Sequence, residues 1–257
     1  MEIYNKIKVL LIEDNPGDTA LIREMLDDSE QIHFEVTDAA RLDNGLKFLV
    51  KDSFDVILLD LCLPDSNGID TFNVMNYNAT NIPIIVLTGL KDDIFAVTAV
   101  GRGAQDYLVK GEVTNKQLIR SICYAIERKR IEKELNESDD RFHLAQKAGG
   151  IGTFDWNIET NEIIWTDELD KIYGLPSGSF GGKYENWIDL IYPEDRERVK
   201  DEQQKSIKNL KDWSDFFRII WPDKSIHWIK AQAMITYNKE DKPLRMIGVN
   251  FDVTDLV

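Results

Sequence analysis

Four groups of polar residues sit where apolar runs end. Asp60 closes Val56-Ile57-Leu58-Leu59, and Glu13-Asp14 closes Lys8-Val9-Leu10-Leu11-Ile12. Thr88 follows Ile84-Ile85-Val86-Leu87, and Lys110 follows Asp106-Tyr107-Leu108-Val109. Clustered carboxylates repel one another unless a cation neutralises them. Hard oxygen ligands with open positions suit Mg²⁺, which keeps several waters and binds through one or two carboxylates plus phosphate. Beside such a cation Asp60 would be a carboxylate nucleophile toward a phosphoryl donor. Lys110 would offset charge on the phosphoryl oxygens, and the Thr88 hydroxyl would donate a hydrogen bond to the bound group.

These residues act together only if the fold gathers them. The apolar runs read as strands buried on both faces, and Phe34-Glu35-Val36 reads as a shorter one. Helices are expected between them over Ala20–Leu26, with Asp18 as the N-cap, and over Leu42–Val50, Ile69–Tyr77 and Asp93–Val100, with another from about Thr114. Five strands alternating with five helices give a parallel α/β sheet. In such sheets ligands bind at the carboxyl ends of the strands, which is where Glu13, Asp14, Asp60, Thr88 and Lys110 all fall.

The phrases LIEDNPGD, LLDLCLPD, VLTG and DYLVKG, at this spacing, resemble a response-regulator receiver domain over residues 6 to about 128. The resemblance implies a flavodoxin-like fold with Asp60 as phospho-acceptor and Glu13 and Asp14 as the metal pair. It also implies Thr88 as switch hydroxyl, Tyr107 as switch aromatic and Lys110 as the phosphoryl-stabilising lysine. In that family the backbone carbonyl two residues past the acceptor, here Cys62, completes the Mg²⁺ site. A haloacid-dehalogenase-type phosphatase would want a second Asp where Cys62 stands. The family usually places a cis proline after the lysine. Gly111 stands there instead, and a cis bond without proline costs about 2.5–4 kcal/mol, so the geometry of this loop is open.

Thr114 to Lys147 reads as nearly continuous helix. Leu118, Ile122 and Ala125 form one apolar seam, and Ile131, Leu135, Ser138, Phe142 and Ala145 form another, displaced by one residue near Glu127–Arg130. A shifted seam suggests the last receiver helix passing into a coiled-coil-like linker, through which a parallel homodimer would form. Arg128-Lys129-Arg130 sits among acids and reads as a solvated helix face rather than a nucleic-acid patch.

Beyond Gly149-Gly150, two strands, a set of helices and three antiparallel strands are expected. The strands are Thr153–Ile158, Glu162–Trp165, Trp213–Trp221, Ile226–Tyr237 and Leu244–Val253. GIGTFDWNIETNEIIW, IYPEDRERV, FRIIWPDKSIHWI and GVNFDVTD resemble a PAS domain. Such domains sense small ligands or mediate protein contacts. All six Trp lie between residues 156 and 228 and read as core. No reactive Cys for a light-sensing flavin is present in this half. His227 reads as structural, so no cofactor is assigned here and the PAS ligand is unknown. In the family, Asp252-Val253-Thr254 hands a signal to a following module.

The fold class expected is α/β followed by α+β. The receiver domain, with a five-stranded parallel sheet, spans 1–128, a helical linker 129–147, and a PAS domain with a five-stranded antiparallel sheet 148–257. Net charge of −15 argues against direct DNA binding and against anionic membranes. Two distant cysteines indicate no disulfide framework. No signal pattern and no run of ~18 apolar residues is found, so a cytoplasmic protein is expected. The functional expectation is a response regulator phosphorylated on Asp60 by a partner sensor histidine kinase and acting on a downstream protein target through its PAS domain. It would not be an enzyme beyond the receiver's own phosphoryl chemistry. The alternative is the sensory front of a larger histidine kinase or cyclic-dinucleotide cyclase.

Overall fold

The computed structural model describes residues 6–29, 31–89 and 98–256. The chain forms two compact units, residues 1–137 and 138–257.

In the first unit, β1 (Lys6–Ile12), β2 (His33–Ala39), β3 (Val56–Asp60), β6 (Ile84–Thr88) and β7 (Asp106–Val109) form one parallel sheet in the order β2-β1-β3-β6-β7. The apolar runs divide by alternation, as strand geometry requires. Leu10, Ile12, Ile57, Leu59, Ile84 and Val86 face one layer. That layer is closed by α2 (Leu42–Lys51) and α3 (Ile69–Asn78), which bring Leu42, Phe72 and Met75. Val9, Leu11, Val56, Leu58, Ile85 and Leu87 face the other layer. There α1 (Pro16–Asp27) brings Ile22 and Leu26, and α4 (Asn115–Gly149) brings Leu118, Ile122 and Ala125. A short hairpin, β4 (Cys62–Leu63) with β5 (Ser66–Asn67), follows the Asp60 strand. The expected helix over Asp93–Val100 falls mostly outside the described residues, which resume as helix at 98–101.

The first helix corrects the expected cap. Asn15, not Asp18, is the N-cap: its Oδ1 accepts from Gly17 N at 2.8 Å, and Pro16 opens the helix. Proline at the first helical position loses nothing, because its missing N–H would be unpaired there anyway.

Helix α4 runs 35 residues without a break. Its first seam is buried in the receiver core, whereas Ile131, Leu135 and Phe142 are 53%, 68% and 56% exposed. The seam shifts because only the first part has a core to cover. Arg130 pairs with Glu127 and Glu134, and Lys129 with Glu132, which is the expected solvated face.

In the second unit, β8 (Ile151–Asn157), β9 (Glu162–Trp165), β10 (Trp213–Ile220), β11 (Ile226–Tyr237) and β12 (Pro243–Asp252) form an antiparallel sheet ordered β10-β11-β12-β8-β9. Helices α5 (Asp167–Ile172), α6 (Tyr184–Leu190) and α7 (Arg196–Lys208) complete it. Tyr173, Trp187, Trp213 and Phe217 make its aromatic core. Thr166 stands at the N-cap position of α5, but its hydroxyl accepts from Thr153 N at 3.0 Å instead of capping the helix.

Candidate functional site

Parallel strands that end together deliver their following residues to one edge. Leu59 pairs with Ile12, Asp60 with Leu87, and Thr88 with Val109. Lys110 N then donates to Thr88 O at 2.8 Å, and Glu13 N to Ala39 O at 3.0 Å. Ligand oxygens of Glu13, Asp14 and Asp60 consequently all lie within 4.8 Å of one another.

Lys110 Nζ donates to Asp60 Oδ2 at 2.5 Å. It also lies 2.5 Å from Glu13 Oε2 and 3.3 Å from Asp18 Oδ2. The Glu13 oxygen has no aligned hydrogen bond, so that contact is an ion pair rather than a directed bond. Burial pulls the ammonium down, but Asp60 and Glu13 outweigh it and hold Lys110 above its ordinary range. Burial pushes the Glu13 carboxyl up, opposed by Lys110 and by the Asn15 N–H, while the Asp60 charge adds to the rise. Lys110 thus faces three carboxylates, two of them on buried residues. The donor set of carboxylate oxygens around an incompletely neutralised pocket fits a hard divalent cation such as Mg²⁺.

Asp60 Oδ1 accepts from Cys62 N at 3.0 Å, which fixes the carboxylate against the β4–β5 hairpin. Leu61 O, between them, accepts from Gly68 N at 2.8 Å and from Thr71 Oγ1 at 3.1 Å. The Thr88 side chain is buried at the same edge, and its Oγ1 has no hydrogen-bond partner among the described residues. A buried hydroxyl without a partner is costly, so it is a group waiting for an acceptor. Tyr107 is 37% exposed on the neighbouring strand. Gly111 adopts a φ of 81°, which proline cannot reach, and no peptide among the described residues is cis.

The roles of two carboxylates escaped the sequence reading. Asp18 faces Lys110 rather than capping α1. Asp65, in the acceptor loop, caps α2 from a distance: Leu42 N donates to Oδ1 at 3.0 Å and Asp43 N to Oδ2 at 3.1 Å. Asp18 could have been suspected as an acid in a first helical turn, where the dipole favours it. Nothing local signals Asp65.

In the second unit, Phe154, Trp156, Tyr184, Trp187 and Asn250 line an interior cavity of about 20 Å³, room for about one water. A flavin or haem would need those walls to move. His227 stacks on Trp221 at 3.8 Å between ring centroids. Among the described residues no helix is long and apolar enough to cross a membrane.

The response regulator receiver domain family matches residues 9–122, and the PAS fold family matches residues 162–250. The transcriptional regulatory protein CpxR of Escherichia coli (strain K12) is 31% identical over 133 residues, covering 52% of this chain and 55% of CpxR. The probable diguanylate cyclase DgcE of the same organism is 30% identical over 130 residues, covering 51% of this chain and 12% of DgcE. A crystal structure of a receiver domain protein from Clostridium thermocellum is 30% identical, with a TM-score of 0.44 over 49% of this chain and 98% of that one. The chain therefore spans about half the length of CpxR and a small part of DgcE. The chain carries a response regulator receiver domain of the two-component signalling kind, followed by a PAS domain.

Proposed function

We propose that Asp60 accepts a phosphoryl group from a partner histidine kinase and that the PAS domain relays the change to a downstream protein by direct contact. The carrying observation is the cluster of Glu13, Asp14 and Asp60, with Lys110 on Asp60 and Glu13 and the buried Thr88 hydroxyl without a partner among the described residues. Glu13, Asp14, Asp60 and the Cys62 carbonyl would hold Mg²⁺, which supplies charge neutralisation at the phosphoryl oxygens. In the transfer, an Asp60 oxygen bonds to phosphorus and the phosphorus–nitrogen bond of the donor phosphohistidine breaks. The electron pair leaves with the imidazole, which takes up a proton.

Lys110 would then exchange its bond to Asp60 for one to a phosphoryl oxygen, and Thr88 Oγ1 would gain its acceptor. Tyr107 would follow Thr88, a local charge change biasing a two-state element. The domains in this reading are 1–128, 129–147 and 148–257, and the exposed seam at Ile131, Leu135 and Phe142 supports a homodimer through α4. The protein would act in the cytoplasm as a signalling protein.

The test is labelling by acetyl phosphate with Mg²⁺. Wild type is expected to gain one phosphoryl group and Asp60→Asn none, with labelling abolished by chelating the metal. Equal labelling of the variant would overturn the assignment.

A further inference from the structure

Where β12 runs into a 3-10 turn over Thr254–Leu256, the segment Asp252-Val253-Thr254 is tied to the start of β11 by a closed set of hydrogen bonds. Val253 N donates to Trp228 O at 2.8 Å, and Trp228 N donates to Thr254 Oγ1 at 2.9 Å. Thr254 Oγ1 and N both donate to Asp252 Oδ1, at 2.5 and 2.9 Å. The other oxygen, Asp252 Oδ2, meets His227 Nδ1 at 2.9 Å. On the far side of the ring, His227 Nε2 lies 3.0 Å from Ser225 Oγ, and Ser225 Oγ donates to Asp223 Oδ1 at 2.6 Å. The imidazole lies flat on Trp221, with planes 10° apart, and Trp221 is fixed by its Nε1–H to Ile172 O at 2.9 Å.

Counting protons decides the state this geometry holds. A serine hydroxyl carries one proton. With that proton on the short bond to Asp223, Ser225 Oγ can only accept from the ring, so Nε2 must carry a hydrogen. A carboxylate only accepts, so Nδ1 must carry one as well. Both contacts together require the imidazolium. The two acids stay ionised. Burial pushes the Asp252 carboxyl up, but bonds from Thr254 and the neighbouring His227 outweigh this and hold it below the usual range. Asp223 is held low chiefly by Ser225.

A neutral ring cannot keep the whole relay. As the Nδ1–H tautomer it keeps Asp252, and Ser225 must turn its proton away from Asp223. As the Nε2–H tautomer it presents a lone pair to the Asp252 carboxylate. Either way a bond is lost, and with it the charge assistance that makes such bonds about twice as strong. Of the other charged groups nearby, Lys171 and Lys230 line the groove shared with Trp221 and Asp252, and Lys224 lies in the turn before β11. Lys171 is itself paired with Glu168 at 2.7 Å.

We propose that His227 is a proton-operated latch on Asp252-Val253-Thr254: the protonated ring clamps this segment to β11, and loss of the proton loosens it. Imidazole is the side chain whose charge ordinarily changes near neutral pH, so the latch gives the PAS domain an input separate from Asp60. It stands whether or not Asp60 is phosphorylated.

The experiment is amide hydrogen exchange by NMR on the full chain between about pH 5.5 and about pH 8.5. The amides of Trp228 and Val253 are read against amides in the middle of β11, after correction for intrinsic exchange. In wild type their relative protection is expected to fall about tenfold as pH rises. In His227→Gln it is expected to be low and flat. A flat wild-type profile, or an undiminished fall in His227→Gln, would overturn the latch. Should the His227 variant not fold, Ser225→Ala removes the acceptor for Nε2–H at an exposed turn and is expected to shrink the fall. A fall of wild-type size there would overturn the relay. Nitrogen-15 shifts of the ring supply a second reading: both nitrogens protonated at the acid end, with the loss of one tracking the loss of protection. A ring that titrates without any change in protection would also overturn the proposal.

Discussion

Lys110 touches Asp60, Glu13 and Asp18 at once, so removing it leaves a half-buried group of acids with no cation of their own. Lys110→Met is expected to destabilise the metal-free protein by about 1–3 kcal/mol, and added Mg²⁺ should recover most of that loss. Denaturant melts with and without the metal check it. Asp195 tests an ion pair in the other domain. Its Oδ2 accepts from Arg218 N and Nε at 2.9 and 3.1 Å, and its Oδ1 from Nη2 at 2.7 Å. These bonds hold its carboxyl below the usual range. A depressed carboxyl stabilises the fold fully above its unfolded value of roughly 3.9 and loses that contribution as pH falls through the folded value. Asp195→Asn should therefore cost about 1 kcal/mol at neutral pH, and the gap to wild type should close as pH falls below the usual carboxylate range.

At the scale of elements, the buried strands were plain in the sequence. Val56–Asp60 is apolar up to its last residue, and all five of its residues are buried. The gathering of polar residues at the strand ends was legible for the same reason: a strand must stop somewhere, and Glu13, Asp60, Thr88 and Lys110 mark where. Cap assignments were less legible. Asp18 and Asn15 both suit the N-cap, and only the fold shows that Asp18 turns to the lysine. Asp65 capping α2 depends on a contact 22–23 residues away in sequence, which no local pattern encodes. The volume left inside the second core was equally invisible, since it depends on how large rings pack and not on which rings they are. On α4, Leu135 is 68% exposed, so Leu135→Glu should change monomer stability by less than about 0.5 kcal/mol. If the seam joins two copies, the same variant should turn a dimer into a monomer in light scattering. A wild-type monomer at high concentration, with and without phosphorylation, would remove the dimer.

Across the whole molecule, the tryptophans are divided unevenly. Trp156, Trp165, Trp187, Trp213, Trp221 and Trp228 account for all six, and every one lies in the unit of residues 138–257. Trp187 and Trp213 belong to its packed core, and their rings meet edge to face at 6.1 Å between centroids. The unit that holds Asp60 is dark at tryptophan wavelengths. Emission excited near the red edge of tryptophan absorption is therefore an internal light meter for the PAS domain alone. If phosphorylating Asp60 is felt there, the emission should move when acetyl phosphate and Mg²⁺ are added and stay still in Asp60→Asn. An unchanged spectrum in a fully labelled sample would mean that the signal does not reach the environments of these six rings.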